Sequence, residues 1–172
     1  KIFIEQGKKE ESYEAMKKSL KVASEITDEI DKSEAYRIIS ELLMGQGKKE
    51  ESYEAMKESL KVASEITDNA GKSNAYMPIS KVLMEQGKMK ESLKVASEIT
   101  DGYYKSKAYM EISKVLMEQG KMKESQEAMK ESLKVASEIT DGRNKSMAYG
   151  ELSKLLMEQG KMKESLSVAS EI

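Results

Sequence analysis

Apolar positions in this chain fall at helical period. In residues 8–26, Tyr13, Met16, Leu20, Ala23 and Ile26 are spaced 3, 4, 3 and 3, which places them on one helix face. Glu10 and Glu11 fall in the first turn of that helix, and Glu14 stands four residues before Lys18, so the opposite face is solvated and charge-paired. A polar connector, Thr27–Lys32, follows. Ala35, Tyr36, Ile39, Leu42 and Leu43 then form a second apolar face, which stops at Gly47, a residue type able to turn left-handed after a helix. Ser33, Ser73, Ser106 and Ser146 are candidate caps for that helix, although Asp28 and its equivalents could start it earlier. Each unit predicts two antiparallel helices.

The unit recurs. Gln-Gly pairs end at Gly7, Gly47, Gly87, Gly120 and Gly160, at spacings of 40, 40, 33 and 40. The expected repeats are approximately 1–28 (partial), 33–68, 73–101, 106–141 and 146–172 (partial). Ile2–Gly7 aligns with Leu42–Gly47 and reads as the tail of a first helix. The spacings differ because seven residues ending at Ser19, Ser59 and Ser132 are inserted before the common Leu-Lys-Val-Ala-Ser-Glu-Ile, and nothing is inserted before Leu93. Seven residues are nearly two turns, so the apolar face drifts by about 20° while the helix gains about 10 Å. Tyr13 and Tyr53 become Gln126 in the third long copy, which fits a wetter overhang between short neighbours.

Composition narrows the function. In 172 residues, 38% are hydrophobic and 35% charged, a balance that suits a thin-cored stack of elements in a soluble chain. Twenty-nine Lys and Arg against 31 Asp and Glu give a net charge of −2 with the signs interleaved. That is no footprint for nucleic acid or an anionic membrane. No apolar run approaches the roughly 18 residues of a membrane span, and Lys1-Ile-Phe-Ile does not read as a signal peptide. With no Cys, the compartment is open between cytoplasm and cell exterior.

Catalytic, cofactor and metal sites are not expected. Gly71-Lys72-Ser73 ends like a phosphate loop, but Ile66 stands where its second glycine belongs and no strand precedes it. The 13 Met residues mostly recur once per repeat at helical-face spacing, which favours adaptable packing over soft-metal binding. Adjacent carboxylates such as Glu50 and Glu51 diverge on a helix, and there is no His or Cys beside them. Pro78 lies within a first helix, where it removes a donor and is expected to kink or delay it.

The series Tyr109, Ile112, Ser113, Leu116, Gly120, Met122 and Ser125 resembles a tetratricopeptide repeat. The same series can be read at Tyr36 to Ser52, Tyr76 to Ser92 and Tyr149 to Ser165. The long copies resemble the roughly 40-residue variant found in kinesin light chains. Ser replaces the family's usual Gly or Ala at the small positions, and the proline near the end of the second helix is absent. The resemblance implies an all-α, right-handed α-solenoid of antiparallel helix pairs that serves protein–protein interaction and is not an enzyme. It also implies a concave groove lined by first helices: Arg37, Glu41, Met44, Met77, Lys81, Met84, Met110, Lys114, Met117, Lys154 and Met157. In that reading the Lys, Met and Glu ladders of the last turns are exposed.

Two partner readings follow. A Met ladder suits an adaptor that binds a peptide or helix of another protein. Interchangeable repeats without visible caps suit head-to-tail self-association into a filament, with Phe3 and Ile4 at one end and Leu166, Val168 and Ile172 at the other as expected contacts. The second is the primary expectation, and neither involves nucleic acid, a membrane span or a cofactor.

Overall fold

The computed structural model describes the backbone of residues 9–170 and the side chains of residues 14–170. Over that range the chain is a succession of helices: α1 (Lys9–Glu25), α2 (Glu29–Gly45), α3 (Lys49–Glu65), α4 (Asn69–Glu85), α5 (Met89–Glu98), α6 (Gly102–Glu118), α7 (Met122–Glu138), α8 (Gly142–Glu158) and α9 (Met162–Ala169). The even-numbered ones are first helices and the odd-numbered ones second helices. Among the described residues none is long and apolar enough to cross a membrane.

Local chemistry fixes each end. The caps of the first helices are aspartates: Asp28, Asp68, Asp101 and Asp141 stay extended and accept hydrogen bonds from the backbone N–H three residues on. The polar connectors are therefore first helical turns. The lysine that follows, at 32, 72, 105 and 145, donates to the carbonyl of Ser24, Ser64, Ser97 and Ser137 and so satisfies the open C-terminus of the preceding helix. At the other end Gly47 sits at φ +76°, with its own N–H on Met44 and that of Lys48 on Leu43. This Schellman arrangement needs a residue without Cβ, and it recurs at Gly87, Gly120 and Gly160.

Of the serines read as candidate caps, Ser33, Ser73 and Ser106 are instead buried, and Ser146 is half-buried. Ser33 and Ser59 each donate to the other's carbonyl, as do Ser40 and Ser52, Ser106 and Ser132, and Ser113 and Ser125, at 2.6–3.1 Å. A small side chain lets the backbones approach, and its hydroxyl is fully satisfied on burial, so closeness costs little. Gln86 adds a third helix to one such pair: its amide donates to both Ser40 and Ser52 at 2.9 Å. In the pair with the short α5, the partner of Ser73 is gone with the seven residues. Ser73 turns to Thr100 at 3.4 Å and to the N–H of Asp101.

Apolar faces pack in three linked clusters along the stack, and Ile79, Ile112, Leu116 and Leu152 are almost wholly buried. Each such side chain contributes about 1.5–3 kcal/mol relative to exposure. Pro78 lies inside α4, which runs unbroken from Asn69 to Glu85. The expected delay of that helix does not occur, and the proline ring sits partly exposed on a groove face.

The length of the second helix sets how successive first helices align. Across the long α7, Lys107 of α6 pairs with Glu151 of α8, four positions beyond its own counterpart, Met147. Across the short α5, Lys81 of α4 pairs with Glu111 of α6, three positions before its counterpart, Lys114. The difference is the missing heptad. A shorter return helix starts α6 about 10 Å further along α4 than the long register would, so the last turn of α6 lies against the end of α4, where the Gln119 amide donates to the Met84 carbonyl.

Candidate interaction surface

First helices line a shallow groove made of adjoining clefts. One, of about 390 Å3, is bounded by Arg37 and Glu41 of α2, by Met77, Pro78, Lys81, Val82 and Glu85 of α4, and by Lys107 and Glu111 of α6. The next, of about 280 Å3, continues along Lys107, Met110, Glu111 and Lys114 to Glu151, Lys154, Leu155 and Glu158 of α8. Of the residues expected in the groove, Arg37, Glu41, Met77, Lys81, Met110, Lys114 and Lys154 stand in these clefts.

The methionine ladder is not uniform. Met84 is completely buried, so it belongs to the core and not to an exposed ladder. Met110 lines the second cleft but is 8% exposed. Met44 and Met117 are half-buried, and Met157 is 50% exposed. Register explains the series. The last turn of α6 covers Met84, whereas in the long register the residues that would face Met44 and Met117 lie beyond the ends of α4 and α8. No described helix follows α8 and α9, and Met157 is open.

The charges of the groove are largely spent on each other. Arg37 holds Glu34 and Glu41 on its own helix. The bond to Arg37 lowers the Glu34 carboxyl below its usual range, and the bond to Glu34 raises Arg37 further. Glu151 accepts from Lys107 and from the Tyr103 hydroxyl, both at 3.0 Å. Burial opposes the Lys107 charge, but the Glu151 carboxylate outweighs it and its proton is held more tightly than usual. The Tyr103 phenol is pushed up by burial and then by the same carboxylate. Such pairs fix helix register more than they attract a charged ligand.

The end contacts divide. Leu166 is 64% exposed. Val168 is buried against α8, so it is a core residue of its own repeat and not an end contact. Phe3, Ile4 and Ile172 lie outside the described residues. Sequence reading missed Val22, which is 61% exposed although its counterparts Val62, Val95, Val135 and Val168 are all buried. The signal was available, because Val22 belongs to the first copy of an octapeptide whose other copies have a described repeat before them.

The family model for the tetratricopeptide repeat matches residues 106–139, which cover most of α6, the Gly120 turn and α7. No curated protein matches the chain. Over its described residues the chain is an all-α, tetratricopeptide-like solenoid of consecutive helix pairs.

Proposed function

We propose that the chain is a non-enzymatic scaffold for protein–protein interaction that associates with further copies of itself head to tail. The observation that supports the reading is that each repeat offers its neighbours the same two faces, a contact that a second copy can repeat. Inside the stack the valine of each second helix turns to the preceding repeat: Val62 is buried with Met16 and Ala23 of α1 and Ile39 of α2. The following alanine turns to the next repeat, so Ala23, Ala63, Ala96 and Ala136 are all buried. Among the described residues, the first and last repeats leave these faces open. Val22 is exposed at one, and Ala169, Leu166 and Met157 at the other. A second copy that sets its Val22 face on the Leu166–Ala169 face repeats the internal contact, and a heterologous contact of this kind extends without closing. The long second helices, similar to the kinesin-light-chain variant, would then project at regular intervals along the assembly.

Sedimentation of the 172-residue chain across a concentration series tests this. The expected result is association that Leu166→Glu or Val22→Glu abolishes while circular dichroism stays helical. Parent and variants that sediment alike as monomers at high concentration would overturn it. The second reading, an adaptor, is favoured by the clefts along α2, α4, α6 and α8, whose apolar floor at Met77, Pro78 and Val82 could seat one side of a partner helix.

A further inference from the structure

The face that α4 and α5 offer to the next repeat recurs on α8 and α9 almost residue for residue. Residues 81–93 read Lys-Val-Leu-Met-Glu-Gln-Gly-Lys-Met-Lys-Glu-Ser-Leu, and residues 154–166 differ from them only at Leu155, where α4 has Val82. Ser165 is followed at once by Leu166, as Ser92 is by Leu93, so α9 is a second helix of the short kind. Its clasp is the same: Ser165 donates to the Ser153 carbonyl at 2.8 Å, and Ser92 to that of Ser80 at 2.6 Å. What differs is cover. Over α4 and α5 lie α6, whose Gln119 amide donates to the Met84 carbonyl at 3.3 Å, and α7, whose Val135 is buried in one cluster with Val95 and Ala96. Met84 and Ala96 are fully buried there, whereas their counterparts Met157 and Ala169 are open.

We propose that the α8–α9 face takes up a second copy of the chain in the short register, with the glutamine that ends the incoming first helix donating to the Met157 carbonyl and α1 of that copy setting Val22 on α9. Resting on the head-to-tail association above, the joint copies the α4–α6 junction and not the α6–α8 one. No chain connects the copies, so burial chooses between the registers. The long-register contact buries Val62 in one cluster with Met16 and Ala23, and Met16 belongs to the heptad that α9 lacks. The short-register contact asks only for what α9 carries, because α7 is a long helix seated on the short α5, as α1 would be on α9. It also seals Met157 as Met84 is sealed, where the long register leaves the methionine half-covered, as Met44 is. By sequence the glutamine is Gln6, the counterpart of Gln119, which lies outside the described residues.

The test is disulfide formation between two singly substituted chains of this Cys-free protein. Gln6→Cys mixed with Met157→Cys should give a cross-linked dimer. Gln6→Cys mixed with Ser153→Cys should not, because only in the long register does the glutamine reach the serine clasp, as Gln86 reaches Ser40 and Ser52. Inserting Tyr-Glu-Ala-Met-Lys-Glu-Ser after Ser165 should reverse the two results. Sedimentation of the same mixtures separates the ways to fail. Association with cross-linking at 153 in the parent, or with cross-linking at neither position, overturns the short register and leaves self-association standing. Chains that stay monomeric at high concentration overturn both.

Discussion

The junctions on either side of α6 are built from almost the same residues and yet differ in what they bury. Towards α4 the last turn of α6 seals Met84, and Lys81 is set against Glu111. Towards α8 the first helices lie in the other register, Lys107 meets Glu151, and Met117 is left half-covered. Because a heptad nearly preserves the phase of the apolar face, both registers bury the same stripe. What changes is which end of the helix is covered and which charges meet. In an array of near-identical repeats, the length of one return helix is thus enough to make one junction individual.

Restoring the heptad should produce the largest change. Insertion of Tyr-Glu-Ala-Met-Lys-Glu-Ser after Ser92 is expected to keep the chain helical and move α6 by about 10 Å along α4. Lys81 should then stand opposite Glu118 in place of Glu111. Since the chain has no Cys, introduced cysteine pairs report this cleanly. A pair at 81 and 111 should cross-link in the parent, and one at 81 and 118 in the insertion variant. Cross-linking that stays at 111 would show that something other than helix length sets the register.

Side-chain truncation sharpens the same contrast. Met84→Ala removes a fully buried side chain and should cost about 2–4 kcal/mol in urea unfolding. Met117→Ala should cost less, about 1–2 kcal/mol, because part of its side chain is already in water, and Met157→Ala close to nothing, because Met157 is 50% exposed. Equal costs for the three would mean that the last turn of α6 does not seal the end of α4.

Much of the fold is legible from apolar spacing. The helix pairs, the left-handed glycine turns and core residues such as Ile112 and Leu116 follow from period and residue type alone. The caps were less so, because Ser33 and Asp28 are both good N-cap residues and spacing does not rank them. The structure resolves the choice by burial: Ser33 is 1% exposed and engaged across the pair, which leaves Asp28 to cap. The groove was half legible. Lys81 and Lys114 stand where the pattern implied, but whether Met84 or Met117 is open depends on register between neighbours. A single repeat carries no trace of that register. It is written in the length of α5, and reading it requires carrying the antiparallel path through three helices.

The serine pairs supply the finest contrast between long and short units. Ser113 and Ser125 exchange hydrogen bonds to each other's carbonyls at 2.8 and 2.7 Å, and both hydroxyls are buried. In Ser113→Ala the Ser125 hydroxyl can still donate to the carbonyl of residue 113, so one bond is lost and no buried group is orphaned except the Ser125 carbonyl, which keeps its helix donor. The expected cost is about 1 kcal/mol. Ser73, whose partner would have come from the absent heptad, holds Thr100 at the long distance of 3.4 Å and accepts from Asp101 at 3.2 Å. These are weak contacts, and Ser73→Ala should cost no more than about half as much. Urea unfolding of the two alanine variants, with Ser106→Ala as a second long-unit reference, measures the difference. If Ser73→Ala is as costly as the long-unit variants, then the Thr100 contact fully replaces the missing serine, and the short pair is as firmly clasped as the long one.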